Sequence, residues 1–273
     1  DVVGTSGPAF GADGTVYIAV GPSVAQNAPA RLVANTSANY ANSIVGLDRD
    51  RLAVKDWFTA PGVEFTTSPI VIRYKDRDLV AATGNDGRLY LLDGASLGGA
   101  NHQTPLHVTP KYSAPTVGSS LATWEDPTAR WIVATAAGTV PAAMAFATNG
   151  LAPSGSVVTF KIVERNGTLS LAPGWSSRDI AAPLTPIVVN GLVFVVASGE
   201  YRGAVPGLTA AQRAQRSTPA SLYVLDGVTG RQLWTSGTTI RSFAQSGLAA
   251  GGGQVYLVTY DNTLYAFGIP MEH

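Results

Sequence analysis

Residues 78–94, DLVAATGNDGRLYLLDG, hold two short apolar segments separated by the turn sequence Asn85-Asp86-Gly87. Both segments are four to six residues long and rich in Leu, Val and Tyr, which is typical of β-strands rather than helices. Asn-Asp-Gly favours a tight reversal of the chain. The stretch therefore predicts a β-hairpin, and the Asp93-Gly94 pair that follows predicts a second turn.

The same unit recurs along the chain. The second strand of the hairpin begins near Ile44, Leu89, Val157, Leu222 and Leu264, at separations of 45, 68, 65 and 42 residues. It is the third strand of the unit once the small-residue strand in front of the hairpin is counted. A segment of small residues precedes each unit, at residues 5–10, 66–72, 113–122, 182–189 and 244–251. Small side chains suit innermost strands that crowd round an axis. The repeats predict an all-β fold, a β-propeller of four-stranded antiparallel blades with about five repeats.

Three insertions interrupt the repeat, at residues 22–42, 139–155 and 203–220. All three fall between the second and third strands of a unit, so we expect them on one face of the propeller. The last insertion predicts a short helix capped at Thr209 and ended before Pro219. Loops gathered on one face usually form a binding surface.

Composition excludes several classes of protein. The 18 Lys and Arg residues balance the 18 Asp and Glu residues, so no basic excess indicates nucleic acid or a membrane surface as a partner. The chain has no Cys, which excludes disulfides, thiolate nucleophiles and Cys-ligated metals. No apolar run is long enough to span a membrane. His102 and His107 do not have the spacing of a zinc motif.

The stretch SLYVLDGVTGRQLW, residues 221–234, resembles the repeat of the quinoprotein-type (pyrroloquinoline-quinone-like) β-propeller family. The resemblance implies that Trp57, Trp175 and Trp234 dock one blade on the next and are buried there. The second unit has no such Trp, so Tyr112 would take this role. Family members usually have eight blades, and the last unit ends without an outer strand. We therefore expect an N-terminally truncated member, with residues 1–273 forming one propeller domain or part of a larger one.

Family membership implies either of two activities. Some members are alcohol or sugar dehydrogenases with quinone and Ca²⁺ in the funnel, and others have lost the cofactor and act as scaffolds. The family's vicinal Cys pair is absent here, and no segment matches its metal-binding group. A periplasmic or extracellular location is expected from the resemblance.

Polar residues at the predicted funnel mouth are the candidate site. The lead-in segments contribute Glu64, Lys111, Asp179, Arg241 and Gln245, and the loops contribute Asn85, Asp86, Glu200, Tyr201, Arg202 and Asp261. We expect ligand binding above all by Glu64, Glu200, Tyr201, Arg202, Arg241 and Gln245. Arg with nearby carboxylates suits an anionic or polyhydroxylated ligand, and paired carboxylates suit Ca²⁺. Asp86 and Asp261 also fit simple turn positions.

Three functions remain open from sequence. The favoured one is a binding or scaffold module for a protein or a small polar or glycan ligand. The alternatives are a quinone-dependent dehydrogenase with Ca²⁺, or a hydrolase or lyase in the same funnel. The open edge of the last unit predicts coverage by Asp1–Val3, by a preceding segment or by self-association.

Overall fold

The computed structural model describes residues 2–3, 6–22, 40–65, 67–115, 120–203, 205 and 207–268. These residues form five separate sheets, antiparallel except for one short strand, that follow one another in chain order. Each sheet corresponds to one of the five sequence units, and we call the sheets blades 1 to 5.

Blade 1 contains β1 (Val2–Val3), β2 (Ala9–Phe10), β3 (Val16–Val20), β4 (Ser43–Leu47) and β5 (Val54–Thr59). Blade 2 contains β6 (Ile70–Tyr74), β7 (Arg77–Thr83), β8 (Leu89–Asp93) and β9 (His107–Val108). Blade 3 contains β10 (Ala122–Glu125), β11 (Arg130–Ala137), β12 (Ala147–Thr148), β13 (Gly155–Arg165) and β14 (Thr168–Ser176), with β12 parallel to β14. Blade 4 contains β15 (Ile187–Val189), β16 (Leu192–Ala197), β17 (Ser221–Asp226) and β18 (Gln232–Thr235). Blade 5 contains β19 (Ala249–Gly251), β20 (Gln254–Val258) and β21 (Leu264–Gly268).

The blades pack face to face, and this explains the continuous apolar character of their central strands. In β7, Leu79 and Ala81 pack in a core shared with blade 3, whereas Val80 and Ala82 pack in a core shared with blade 1. Two further cores lie between blades 3 and 4 and between blades 4 and 5. A central strand buried on both faces needs apolar residues at every position. The predicted propeller of antiparallel blades is confirmed; blades 2 and 4 have the predicted four strands, blades 1 and 3 each have a fifth short strand, and blade 5 has three described strands.

The inner strands are shorter than predicted. Within the described residues, each small-residue segment contributes only its last residues to an inner strand; in residues 113–122, β10 begins only at Ala122. β10 also carries Trp124, which stacks on Trp131 with ring centroids 5.1 Å apart. Because an inner strand also presents side chains to the seams between blades, it accommodates a large residue there.

The last blade differs from the other four. Blade 5 has three described strands, and within the described residues nothing pairs with the outer edge of β21. The expectation that Asp1–Val3 could cover this edge is wrong. Val2 and Val3 pair with Val20 and Ala19 of blade 1, because their extended backbone continues the inner edge of β3.

The third insertion contains the predicted helix, α1 (Ala210–Arg216). The Thr209 side chain accepts a hydrogen bond from the amide of Gln212, and the Gln212 side chain bonds back to the amide of Thr209. This reciprocal capping box satisfies two amides that a helix leaves unpaired at its start. Residues 23–39 of the first insertion lie outside the described residues.

The three docking tryptophans differ in burial. Trp175 is 1% exposed and its indole nitrogen donates a hydrogen bond to the carbonyl of Gly227 in blade 4, at 2.8 Å. Trp57 is half-buried and stacks on His102 of blade 2, with ring centroids 3.6 Å apart. The prediction that Trp234 is buried is wrong, because this residue is 44% exposed; its ring meets Phe267 of blade 5 edge-on, with centroids 5.8 Å apart. Among the described residues, blade 5 has no fourth strand that could cover it.

Tyr112 takes the docking role in blade 2. It is 2% exposed and its ring contacts Phe160 of blade 3 edge-on, with centroids 5.3 Å apart. Burial raises the pKa of its phenol well above the ordinary range.

Candidate functional site at the funnel face

One face of the molecule brings together the loops between second and third strands and the segments that lead into each blade. The amide of Asn85 bonds to the carbonyl of Glu64 at 2.8 Å, and the amide of Tyr112 bonds to the carbonyl of Gly87 at 2.9 Å. In blades 4 and 5, the amide of Ala244 bonds to the carbonyl of Ser198 at 2.9 Å. The two kinds of connection are therefore joined by backbone hydrogen bonds, and we call this surface the funnel face.

A cavity of about 710 Å³ lies between the inner strands. Four blades line it, through Ser6, Leu121, Ala122, Leu184, Thr185, Pro186, Ile187, Val188, Gln245, Ser246, Gly247 and Leu248. None of these residues is charged, and its polar groups are hydroxyls and one amide. The amide of Ser120 bonds to the Thr185 hydroxyl at 2.9 Å, which joins blades 3 and 4 at this point. The cavity suits a small neutral polar group or the tip of a larger ligand.

Glu200, Arg202 and Gln245 form a hydrogen-bonded network on the funnel face. Nε of Arg202 donates to Oε2 of Glu200 at 2.9 Å, and Nε2 of Gln245 donates to Oε1 of the same carboxylate. Gln245 also lines the central cavity, so the network lies at the cavity rim. The structure therefore brings together three of the six candidate residues.

Helix α1 and its flanks hold the network segment in place. The amide of Thr218 bonds to the carbonyl of Gly199 at 2.8 Å, and the amide of Tyr201 bonds to the Ser217 hydroxyl at 2.9 Å. Gly199 has a φ of +70°, and a Cβ there would lie 2.1 Å from the carbonyl oxygen of Thr218. Only glycine permits this approach, which fixes the direction of residues 200–202.

Tyr201 does not join the network. Its ring lies beneath the guanidinium of Arg216, 5.5 Å from the ring centroid, in a cation–π arrangement. Tyr201 therefore connects the network segment to helix α1 and positions its neighbours.

Arg202 and Arg241 leave cationic groups unpaired. Arg202 uses only Nε for Glu200, so its two terminal nitrogens have no partner among the described residues. Arg241 is exposed, and its backbone amide bonds to the Tyr265 hydroxyl at 3.2 Å. Its guanidinium likewise has no partner in the part of the chain that the structure describes. The free hydrogen-bonding groups that Arg202 adds to the network are therefore donors.

Glu64 lies apart from this network. Its amide bonds to Asn85 at 3.1 Å, and its carboxylate has no partner among the described residues. Glu64 belongs to the segment between blades 1 and 2, whereas the network belongs to blades 4 and 5. Within the described residues, Glu64 makes no hydrogen bond or ion pair with Glu200 or Arg241, so its part in one common site stays a prediction.

The other polar candidates serve turns. The Asp86 carboxylate accepts hydrogen bonds from the Arg88 amide and the Tyr90 hydroxyl, at 3.2 and 2.8 Å. Burial and this carboxylate raise the pKa of Tyr90 above its usual range. Asp261 accepts from the Thr259 hydroxyl and the Thr263 amide, and the Thr259 bond lowers its pKa. Asp179 accepts from the Ser154 and Gly155 amides, and Lys111 is exposed.

The described residues do not fit a quinone with Ca²⁺. They contain no group of three or more His, Cys, Asp or Glu residues arranged to hold a metal ion. Both oxygens of Glu200 already accept hydrogen bonds from Arg202 and Gln245. A Ca²⁺ ion needs six to eight oxygen ligands, and this network offers it donors instead.

Sequence reasoning missed the cavity residues. Ser6, Thr185 and Ser246 line the cavity but were interpreted only as small residues of inner strands. The signal was present, since a hydroxyl recurs in the small-residue segments of these units. Its meaning depends on which side of the segment faces the axis, which the sequence pattern leaves open.

Comparison with known proteins confirms the class of fold. The Dos1 propeller matches 96% of this chain with a TM-score of 0.50 and 9% identity, and the chain spans 56% of that structure. BamB from Moraxella catarrhalis matches 98% of the chain, with a TM-score of 0.48 and 14% identity over 71% of its own length. BBS1N, solved in complex with ARL6DN, matches 94%, with a TM-score of 0.48 and 10% identity over 62% of its length.

The similarity to the Dos1 propeller shows a propeller fold alone. No family model matches the sequence, and no curated protein matches it. Within the described residues, no helix is long and apolar enough to cross a membrane.

Proposed function

We propose that this chain is a binding module, a propeller that holds a polar partner at its funnel face. The observation that carries the proposal is the Glu200–Arg202–Gln245 network, which lies at the rim of the 710 Å³ cavity. In a chain with only 13% charged residues, the placement of charges at a concave opening favours a role in recognition.

The free groups define the class of ligand. The terminal nitrogens of Arg202 form a planar fork that suits a carboxylate or a pair of vicinal hydroxyls. The Glu200 carboxylate holds the guanidinium in one orientation through Nε, so the fork is preorganised. The oxygens of an acidic protein side chain, or of an acidic or polyhydroxylated glycan, can accept hydrogen bonds from this fork while a smaller group enters the cavity.

The binding role is proposed in preference to an enzymatic one. The described part of the chain offers no carboxylate free of hydrogen bonds inside the cavity that could act as a base. No observation of this site supports a dehydrogenase or a hydrolase activity. The proposal includes a periplasmic or extracellular location, for which the repeat resemblance is the support.

The experiment is a thermal-stability titration with a panel of neutral glycans, acidic glycans and acidic peptides. A ligand at a hundred times its Kd stabilises the folded state by about 2.7 kcal/mol, which raises the Tm. The Arg202→Ala variant should lose this shift for the acidic members of the panel.

Arg77 provides the matched control. It pairs with Asp93 at 3.1 Å, and the two side chains are 44% and 27% exposed, against 41% and 20% for Arg202 and Glu200. Arg77→Ala should keep the full shift. Equal shifts in wild type and Arg202→Ala would show that the network is not the site.

A further inference from the structure

Among the described residues, no strand completes the outer edge of β21 as a fourth strand does in the other blades. In blades 1 to 4 the third strand pairs with a fourth, namely β5, β9, β14 and β18. No described residue pairs with the outer edge of β21. The last blade therefore presents one antiparallel pairing position that its own described residues leave open.

The register shows which backbone groups face outward. The amide of Thr259 bonds to the carbonyl of Thr263 at 3.0 Å, so this pair is hydrogen-bonded. Hydrogen-bonded and non-hydrogen-bonded pairs alternate along an antiparallel ladder. Tyr265 and Phe267 therefore direct their backbone groups at β20, whereas Leu264, Ala266 and Gly268 direct theirs at the open edge.

This edge carries none of the usual protection against pairing. Residues 262–268, NTLYAFG, contain no charge and no Pro. Natural edge strands are normally blunted by Lys, Pro or a bulge. Leu264 of this strand is 63% exposed and Val258 of the adjacent β20 is 49% exposed, so this end of the blade also exposes apolar side chains.

An apolar cleft lies beside the edge. It has a volume of about 930 Å³ and is lined by Phe194, Val224, Trp234 and Phe267, with Ala266 and Gly268 of the edge strand. Trp234 remains 44% exposed there. A strand added to β21 would place side chains next to this cleft and cover the indole.

We propose that the partner at this edge is a second copy of the chain, whose β21 pairs antiparallel with the first about a two-fold axis at Ala266. The outward groups lie at residues 264, 266 and 268, symmetric about Ala266, so the strand is complementary to itself in this register. Ala266 then opposes Ala266 of the second copy, and Leu264 opposes Gly268. The pairing forms about six backbone hydrogen bonds.

The same register explains the apolar character of both faces. Tyr265 of one copy opposes Phe267 of the other, on the side of the cleft where Phe267 contacts Trp234 at 5.8 Å between centroids. Aromatic cross-strand pairs stabilise antiparallel sheets. The two last blades become one sheet of six strands.

A charge-swap experiment tests the register. Sedimentation equilibrium of wild type from about 1 µM to 1 mM should show a dimer that dissociates on dilution. Ala266→Lys and Ala266→Glu should each weaken the dimer about tenfold, because like charges meet at the axis. An equimolar mixture of the two variants should restore it. A wild type that is monomeric throughout, or variants that dimerise as well alone as mixed, would overturn the proposal.

Amide exchange tests the same register without a substitution. The amides of Leu264, Ala266 and Gly268 should exchange quickly in dilute protein and at least tenfold more slowly in concentrated protein. Those of Tyr265 and Phe267 should be protected at both concentrations, because they already bond to β20. Concentration-independent exchange at Ala266 would overturn the proposal even if the charged variants failed to fold.

Discussion

Trp175 and Trp234 lie in the fourth strands of neighbouring blades, but the next blade buries Trp175 and leaves Trp234 partly exposed. The Trp175 ring packs on Gly230 so closely that a Cβ there would lie 2.2 Å from a ring carbon. Its indole nitrogen also satisfies the carbonyl of Gly227. Trp234 has one aromatic neighbour, Phe267, and nearly half of its surface remains exposed.

Trp175→Ala should lower the free energy of unfolding by about 3–5 kcal/mol, because it leaves a cavity and an unpaired carbonyl. Trp234→Ala should lower it by only about 1 kcal/mol, because less apolar surface is removed from the interior. Urea unfolding of both variants measures the difference. Equal losses would contradict the assignment of Trp175 as a buried docking residue.

Asp13 supplies a pH-dependent contribution to stability. The hydrogen bond from Lys55, together with bonds from Thr15, lowers the pKa of Asp13 from 3.8 to about 2. Between pH 4 and 2 the unfolded chain binds a proton that the folded chain does not, so the free energy of unfolding falls as the pH falls through this window. The contribution is fully present above pH 4 and absent below about pH 2.

Lys55→Met should raise the pKa of Asp13 towards its ordinary value and flatten this dependence. The carboxyl titration is followed by NMR, and urea midpoints are measured from pH 2 to 5. Lys111→Met is the control, since Lys111 is exposed and has no described partner. A wild-type Asp13 that titrates near 4 would contradict the role of Lys55.

The role of an individual residue can be predicted from the sequence where neighbouring residues alone determine it. Asn85-Asp86-Gly87 forms the predicted turn because its backbone preferences are local. The network of Glu200 with Gln245 spans 45 residues and two blades. Both residues were candidates, but their direct contact depends on how the lead-in segment packs, which no local pattern encodes.

At the scale of elements, residues 198–203, which follow β16, are hydrogen-bonded to the residues that follow helix α1, and this packing depends on Gly199. Gly199→Ala should destabilise the protein by more than Gly207→Ala, although both glycines have a positive φ, of +70° and +77°. A Cβ at Gly207 meets nothing within 4 Å, so only the backbone strain of about 1–2 kcal/mol applies there. At Gly199 the Cβ also collides with the Thr218 carbonyl oxygen.

Urea unfolding measures both glycine variants, and NMR of the Arg202 Nε–H reports on the network. We expect that signal to shift in Gly199→Ala and to remain in Gly207→Ala. Similar destabilisation by the two substitutions would contradict the proposed packing of residues 199–203 on the end of α1.

The element boundaries could be predicted where apolar runs are continuous. The third strands begin within two residues of the predicted starts at Ile44, Leu89, Val157, Leu222 and Leu264. The inner strands begin later in the chain than the sequence predicts, because the first described residues of segments such as 113–122 precede the strand. Small side chains suit both roles, so composition alone does not separate them.

At the scale of the whole molecule, five blades are joined by four apolar seams, and four of the blades line a cavity whose polar side chains are three hydroxyls and one amide. The repeat pattern was sufficient to predict the radial order. It was not sufficient to predict that the last seam is less filled, because Trp234 occupies the same position in its repeat whether or not a fourth strand follows. The funnel face and the outer edge of β21 are two distinct surfaces, because different residues line the cavity at the one and the apolar cleft at the other.

The most direct test of binding at the funnel face is thiol protection. The chain has no Cys, so Ser246→Cys in the cavity and Thr128→Cys in the turn between β10 and β11 each introduce a single reactive thiol. Maleimide labelling is measured with and without the panel member that raises the Tm most. We predict that this ligand slows labelling at residue 246 at least tenfold and leaves residue 128 unchanged. Unchanged labelling at residue 246, or protection only at residue 128, would contradict the account.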